Sequence, residues 1–144
     1  MSVSRPIVVL DTNVFVSGLF HRPSSAPRTI LERFRDEAFT VAISPTLLGE
    51  LVDVITRPAL RRLISREALQ GLLDNIREDA LIVRPLERPR VVASDPDDDR
   101  LFACALAADA ACIVSGDKSV LAIKRFRDIH VLPPTEFLGW LARR

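Results

Sequence analysis

The apolar positions of this chain fall into short unbroken runs that alternate with longer periodic stretches. Residues 6–10 are Pro-Ile-Val-Val-Leu, a β-branched run that reads as a strand buried on both faces. Within 24–38, Ile30, Leu31 and Phe34 recur at helical spacing and polar residues take the other side. Residues 39–43 are a second strand-like run. Ser44 then stands as an N-cap with Pro45 at the first helical position, and the helix continues through Leu47, Leu48, Leu51, Val52 and Ile55 to about Thr56. A helix over 58–64 and an amphipathic helix over 65–79 follow, then a short strand at 81–83. A helix over 96–110 begins in a run of acids. The strand at 111–114 ends at Ser115-Gly116-Asp117, and a short helix to about 126, a strand at 129–132 and a helix from 135 come after it.

Short apolar strands alternating with helices indicate an α/β fold with a central parallel sheet covered on both faces. In such sheets ligands bind beyond the carboxyl ends of the strands. Two strands here end in an acid, Asp11 and Asp117. The 144 residues are read as one domain, 1–144, large enough for a sizeable core. With 48% hydrophobic and 27% charged residues, wholesale disorder, collagen and coiled coil are excluded. No apolar stretch approaches the ~20 residues of a membrane span, and the first ten residues are too short for a signal peptide. The expectation is a soluble, cytoplasmic protein. Cys104 and Cys112 form neither a zinc pattern nor a disulfide framework, which suits a reducing compartment. The net charge of +1 makes no case for nucleic acid. Lys118 and Lys124 are the only lysines among 20 basic residues. Arginine is the better bidentate partner for phosphate, although an Arg-rich proteome gives the same bias. Arg57, Arg61, Arg62 and Arg66 could line a phosphate-gripping face or simply a solvated helix surface.

The acids carry the candidate chemistry. Asp11 closes a buried strand and precedes Thr12 and Asn13; Asp117 follows Ser115-Gly116. Each could be an ordinary turn or cap acid. Glu50 sits in a helix with no other charge until Asp53, so it wants a cation. Asp95, Asp97, Asp98 and Asp99 crowd one helix start, more acids than the helix dipole needs, and periodicity alone does not choose among them. Carboxylates converging at a sheet edge suit a hard divalent cation, with water and phosphate as its other partners. His21 and His130 have no Ser or Cys partner that suggests a triad, and Gly116-Asp117-Lys118-Ser119 is no P-loop.

Taken in order, Val8-Val9-Leu10-Asp11-Thr12-Asn13-Val14-Phe15-Val16-Ser17, Ser44-Pro45-Thr46 with Glu50 and Leu51, Asp95-Pro96-Asp97-Asp98-Asp99-Arg100-Leu101-Phe102, and Ser115-Gly116-Asp117-Lys118 with Leu121 resemble the PIN domain family over essentially the whole chain. The set is similar to the subgroup of toxin components of bacterial toxin–antitoxin pairs. The resemblance implies a three-layer α/β/α domain and a ribonuclease dependent on Mg2+ or Mn2+, cutting single-stranded RNA. It implies that Asp11, Glu50, Asp98 and Asp117 are the catalytic, metal-holding acids. Thr12, Asn13 and Ser115 would orient carboxylates or water. Asp98 fits the family spacing better than Asp99, which would lie to the side as a helix-start acid or an outer partner of the site. An antitoxin protein and a homodimer are the implied partners. The last helix adds to the dimer expectation, since Phe137, Leu138, Trp140 and Leu141 crowd together and Trp140 is the one left over for a surface.

Three other readings compete. A phosphatase of the haloacid dehalogenase type also starts with a strand ending in Asp, but wants a second Asp where Asn13 stands. A receiver-like domain wants paired acids near the first strand, and 8–10 supply none. A PIN-like module that binds RNA or protein without cutting would not be expected to keep an intact acid set. Seven Phe, one Trp and no Tyr leave no visible platform for base stacking.

Overall fold

Strand β1, Ile7–Leu10, has Val8, Val9 and Leu10 all buried, as a strand covered on both faces requires. The structure is a computed structural model that describes residues 5–20 and 24–144; His21 and the expected turn at Arg22-Pro23 lie outside them. After β1 the chain forms α1 (Thr12–Leu19), α2 (Ala26–Arg35), β2 (Thr40–Ile43), α3 (Pro45–Ile55), α4 (Pro58–Arg61), α5 (Arg66–Asp79) and β3 (Leu81–Ile82). A 3-10 turn, Pro96–Asp98, runs into α6 (Asp99–Ala108). Then come β4 (Cys112–Val114), α7 (Lys118–Leu121), β5 (Arg125–Phe126), β6 (Ile129–Leu132) and α8 (Pro134–Ala142).

The six strands are ordered β3-β2-β1-β4-β6-β5. All neighbours run parallel except β5, which pairs antiparallel with β6. The sheet is therefore mixed at one edge, where a short helix to 126 was expected. The chain turns there through Lys124 and Arg127, both at positive φ (63° and 54°). Helices flank the sheet: α6 packs on β1, β2 and β4, and α2 lies against α1, α5 and α8. One continuous core joins the strands to Phe15, Ile30, Phe34, Phe39, Leu51, Phe102 and Phe137.

The N-cap read at Ser44 forms as a hydrogen bond, and Ser25 and Ser65 cap their helices in the same way. The side-chain oxygens of Ser25, Ser44 and Ser65 accept from the backbone N–H groups of Arg28, Leu47 and Ala68. The expected helix over 58–64 shortens to one turn, so Arg57, Arg61, Arg62 and Arg66 do not share a continuous helical face. All four are exposed, and Arg57 pairs with Asp53 at 3.1 Å. The surface expected of Trp140 is also reduced. Its ring stacks on the buried Phe137 at 5.8 Å, and Arg144 covers it at 4.7 Å. The last helix therefore offers less free apolar surface than expected, with Leu138, Trp140 and Leu141 half-buried.

Candidate functional site

The strand order reverses beside β1: β2 and β3 lie to one side, and β4, β6 and β5 to the other. Such a switch point opens a crevice at the carboxyl ends of the two central strands. Asp11 leaves β1 there, and Ser115-Gly116-Asp117 leave β4. The two ends are tied by the Asp11 N–H donating to the Val114 carbonyl at 2.9 Å.

Asp11 is held by its neighbours. The buried Ser115 hydroxyl donates to Asp11 Oδ2 at 2.7 Å, and Asn13 Nδ2 donates to the same oxygen at 3.1 Å. Asn13 Oδ1 in turn accepts from the Gly116 N–H at 3.0 Å, and the Asp117 N–H donates to Ser115 Oγ at 3.0 Å. Asn13 and Ser115 thus lock the two strand-end acids into one network across the crevice. Thr12 contributes through its backbone. Burial raises the Asp11 carboxyl above its ordinary range; hydrogen bonds from Ser115 and the Thr12 backbone oppose this, and the charges of Glu50 and Asp117 add to it. Asp117 Oδ1 accepts from the Ser119 N–H at 2.8 Å, so its cap reading holds in part.

The two adjacent acids at the start of α6 separate. Asp98 Oδ2 is buried and has no hydrogen-bond partner among the described residues. Its carboxyl is pushed up to about 6, first by burial, then by Asp95, Asp11, Asp117 and Glu50. Asp98 therefore feels the other acids of the crevice. Asp99 is buried elsewhere: its Oδ1 accepts from the N–H groups of Val91 and Val92 at 2.9 and 2.7 Å. The expectation of Asp99 as an outer partner of the acids gives way to this, because its carboxylate fastens the 83–92 segment to the start of α6. Glu50, on α3, lies 3.1 Å from Arg100 Nη2. Arg100 was not among the residues read as functional, since one arginine in an Arg-rich chain carries no signal.

No three His, Cys, Asp or Glu side chains among the described residues are grouped closely enough to hold a metal ion as they stand. Glu50 is turned to Arg100, and Asp11 Oδ2 is taken up by Ser115 and Asn13. The donor chemistry nevertheless fits a hard divalent cation. The acids supply only carboxylate oxygens, one of them is buried without a partner, and two have carboxyls raised partly by repulsion from the others.

The PIN domain family matches residues 7–119. The chain belongs to the PIN domain family. PIN domains are typically metal-dependent nucleases, which supports a hydrolase at that coarse level. The uncharacterized protein MJ1680 of Methanocaldococcus jannaschii is 29% identical over 135 residues, covering 89% of this chain and 85% of that protein. Among solved structures, PAE2754 from Pyrobaculum aerophilum superposes with a TM-score of 0.60 at 16% identity, covering 96% of this chain and 91% of its own. FitAcB from Neisseria gonorrhoeae gives 0.54 at 19% identity, with 89% and 98% covered. Both likenesses are of fold and place this chain's α/β sheet among PIN-like structures.

Proposed function

We propose that this PIN domain is an endoribonuclease that cleaves single-stranded RNA by attack of water, with Asp11, Glu50, Asp98 and Asp117 holding Mg2+ or Mn2+. The observation that carries the reading is the orphaned, buried Asp98 Oδ2 within the field of Asp11, Glu50 and Asp117. A divalent cation held there would neutralise charge on a phosphodiester and activate water. Asn13 and Ser115 keep Asp11 aimed across the crevice and tie it to the Gly116-Asp117 turn.

Water is the nucleophile because the described side chains offer no other. Cys104 and Cys112 are buried, and burial pushes both thiols up to about 12, so neither is a thiolate at neutral pH. The Ser115 hydroxyl is buried and its hydrogen bond is committed to the Asp11 carboxylate. His130 is on β6, paired in register with Cys112. The motif resemblance further supports the toxin role, with a small antitoxin protein as partner. No described helix is long and apolar enough to cross a membrane.

The test is cleavage of a labelled single-stranded RNA. Activity is expected with Mg2+ or Mn2+, and none with a chelator or in Asp11→Asn, whose fold should survive because the isostere changes charge and little volume. Undiminished cleavage by purified Asp11→Asn would overturn the assignment.

A further inference from the structure

Arg100 is placed with unusual care for a surface arginine. Its Nε donates to the Asp97 carbonyl at 2.9 Å and its Nη2 to Glu50 at 3.1 Å, so the guanidinium is fixed at the rim of the acids. The same side chain lines a cavity of about 230 Å³ together with Ser44, Thr46, Leu86, Glu87 and Arg88. Ser44 and Thr46 lie where β2 passes into α3, the helix that carries Glu50. The cavity thus opens beyond the carboxyl end of β2 and is joined to the acids through the Arg100–Glu50 pair. It is smaller than the ~300 Å³ at which small-molecule pockets begin, so it suits one unit of a longer ligand crossing the surface.

Arg88 reaches this cavity from the 83–92 segment, which also carries Arg84 and Arg90 and has no regular structure. The segment is fastened at both ends. The Val83 N–H donates to the Ile43 carbonyl at 3.0 Å, and Asp99 takes the N–H groups of Val91 and Val92. Burying a carboxylate to pin an irregular segment makes sense if what the segment presents must stay in place. Arg88 and Arg100 line the cavity with the exposed Glu87, and Glu50 shares Arg100 with it. A cation held by the acids would give Glu50 a second partner and leave more of the charge of Arg100 for an anion. Arginine forks match phosphate oxygens in geometry as well as charge.

We propose that this cavity is a phosphate subsite, in which Arg88 and Arg100 grip a backbone phosphate of the nucleic acid next to the bond that is cut. The subsite rests on the nuclease reading. A phosphate grip positions the strand and carries no sequence information.

The experiment measures binding of unrelated fluorescent single-stranded RNAs to the full chain carrying Asp11→Asn, across a series of salt concentrations. Arg88→Gln and Arg100→Gln should each weaken binding on every sequence. Each should also flatten the plot of log affinity against log salt by about 0.7, the share of a single phosphate neutralised on a single strand. Arg127→Gln, on the β5–β6 turn, should leave the slope unchanged. Arg88 is exposed on an irregular segment, so Arg88→Gln decides the matter even if Arg100→Gln disturbs the fold. An unchanged slope in Arg88→Gln, with RNA still cut by the parent chain, overturns the subsite and leaves the nuclease standing. Failure of the parent chain to bind or cut RNA overturns both.

Discussion

Asp98 and Asp99 are neighbours in sequence with opposite roles in the fold. Asp99 serves two backbone N–H groups, and each left buried without an acceptor costs about 1–3 kcal/mol. Asp99→Ala should therefore lower the denaturation midpoint sharply, while Asp99→Asn, which keeps an acceptor oxygen, should lower it less. Asp98→Asn should do the reverse and stabilise the metal-free protein, because it removes a charge that burial and four other acids oppose. The pH dependence follows from the same shift. The folded carboxyl of Asp98 sits at about 6 against an ordinary 3.8. Its ionisation costs stability above pH 6, and the cost disappears as the pH falls below 3.8, where the group is protonated in both states. The advantage of Asp98→Asn over the parent chain in denaturation should be full at pH 7 and shrink toward pH 4. The sequence located the acids but did not separate this pair by periodicity. What separates them is a 3-10 turn that ends at Asp98 and a contact to Val91 and Val92, neither of which shows as spacing.

Elements with a side-chain cap or a clean stripe were legible. The N-caps at Ser44 and Ser65 set the starts of α3 and α5 within a residue. Ser44→Ala should cost about 1 kcal/mol of stability, measured by chemical denaturation. The elements missed lack such marks. In α1 the Asp11 side chain makes no cap bond. The helix is only eight residues long, with Val16 interrupting the polar positions opposite the buried Val14, Phe15, Gly18 and Leu19, so its period is weakly marked. Its seat depends on Gly18. A Cβ there would meet Leu31 Cδ1 at 2.6 Å and the Pro27 carbonyl at 2.8 Å. Gly18→Ala must push α1 and α2 apart, and a loss of about 1–3 kcal/mol is expected in the same measurement. The β5–β6 hairpin was hidden because Arg127 takes a left-handed turn position where Gly or Asn would have announced it, as Lys124 does just before β5.

At the scale of the whole molecule, the sheet order brings residues from opposite ends of the sequence to one crevice. Asp11 and Ser115 stand 104 positions apart and share a hydrogen bond, and Arg100 reaches Glu50 across 50. The alternation of strands and helices made the α/β class readable, and the motif order made the acids readable as a set. The partners that hold them, Arg100 for Glu50 and the 83–92 segment for Asp99, arise only from folding. The central claim is that these acids form a cation site, and the most direct measurement is the melting temperature of the parent chain and of Asp98→Asn with and without millimolar Mn2+. A ligand at one hundred times its dissociation constant adds about 2.7 kcal/mol to the native state. The parent chain should start lower and rise clearly with Mn2+, while Asp98→Asn should start higher and barely move. Equal shifts in the two chains, or no shift in the parent chain, would contradict the claim.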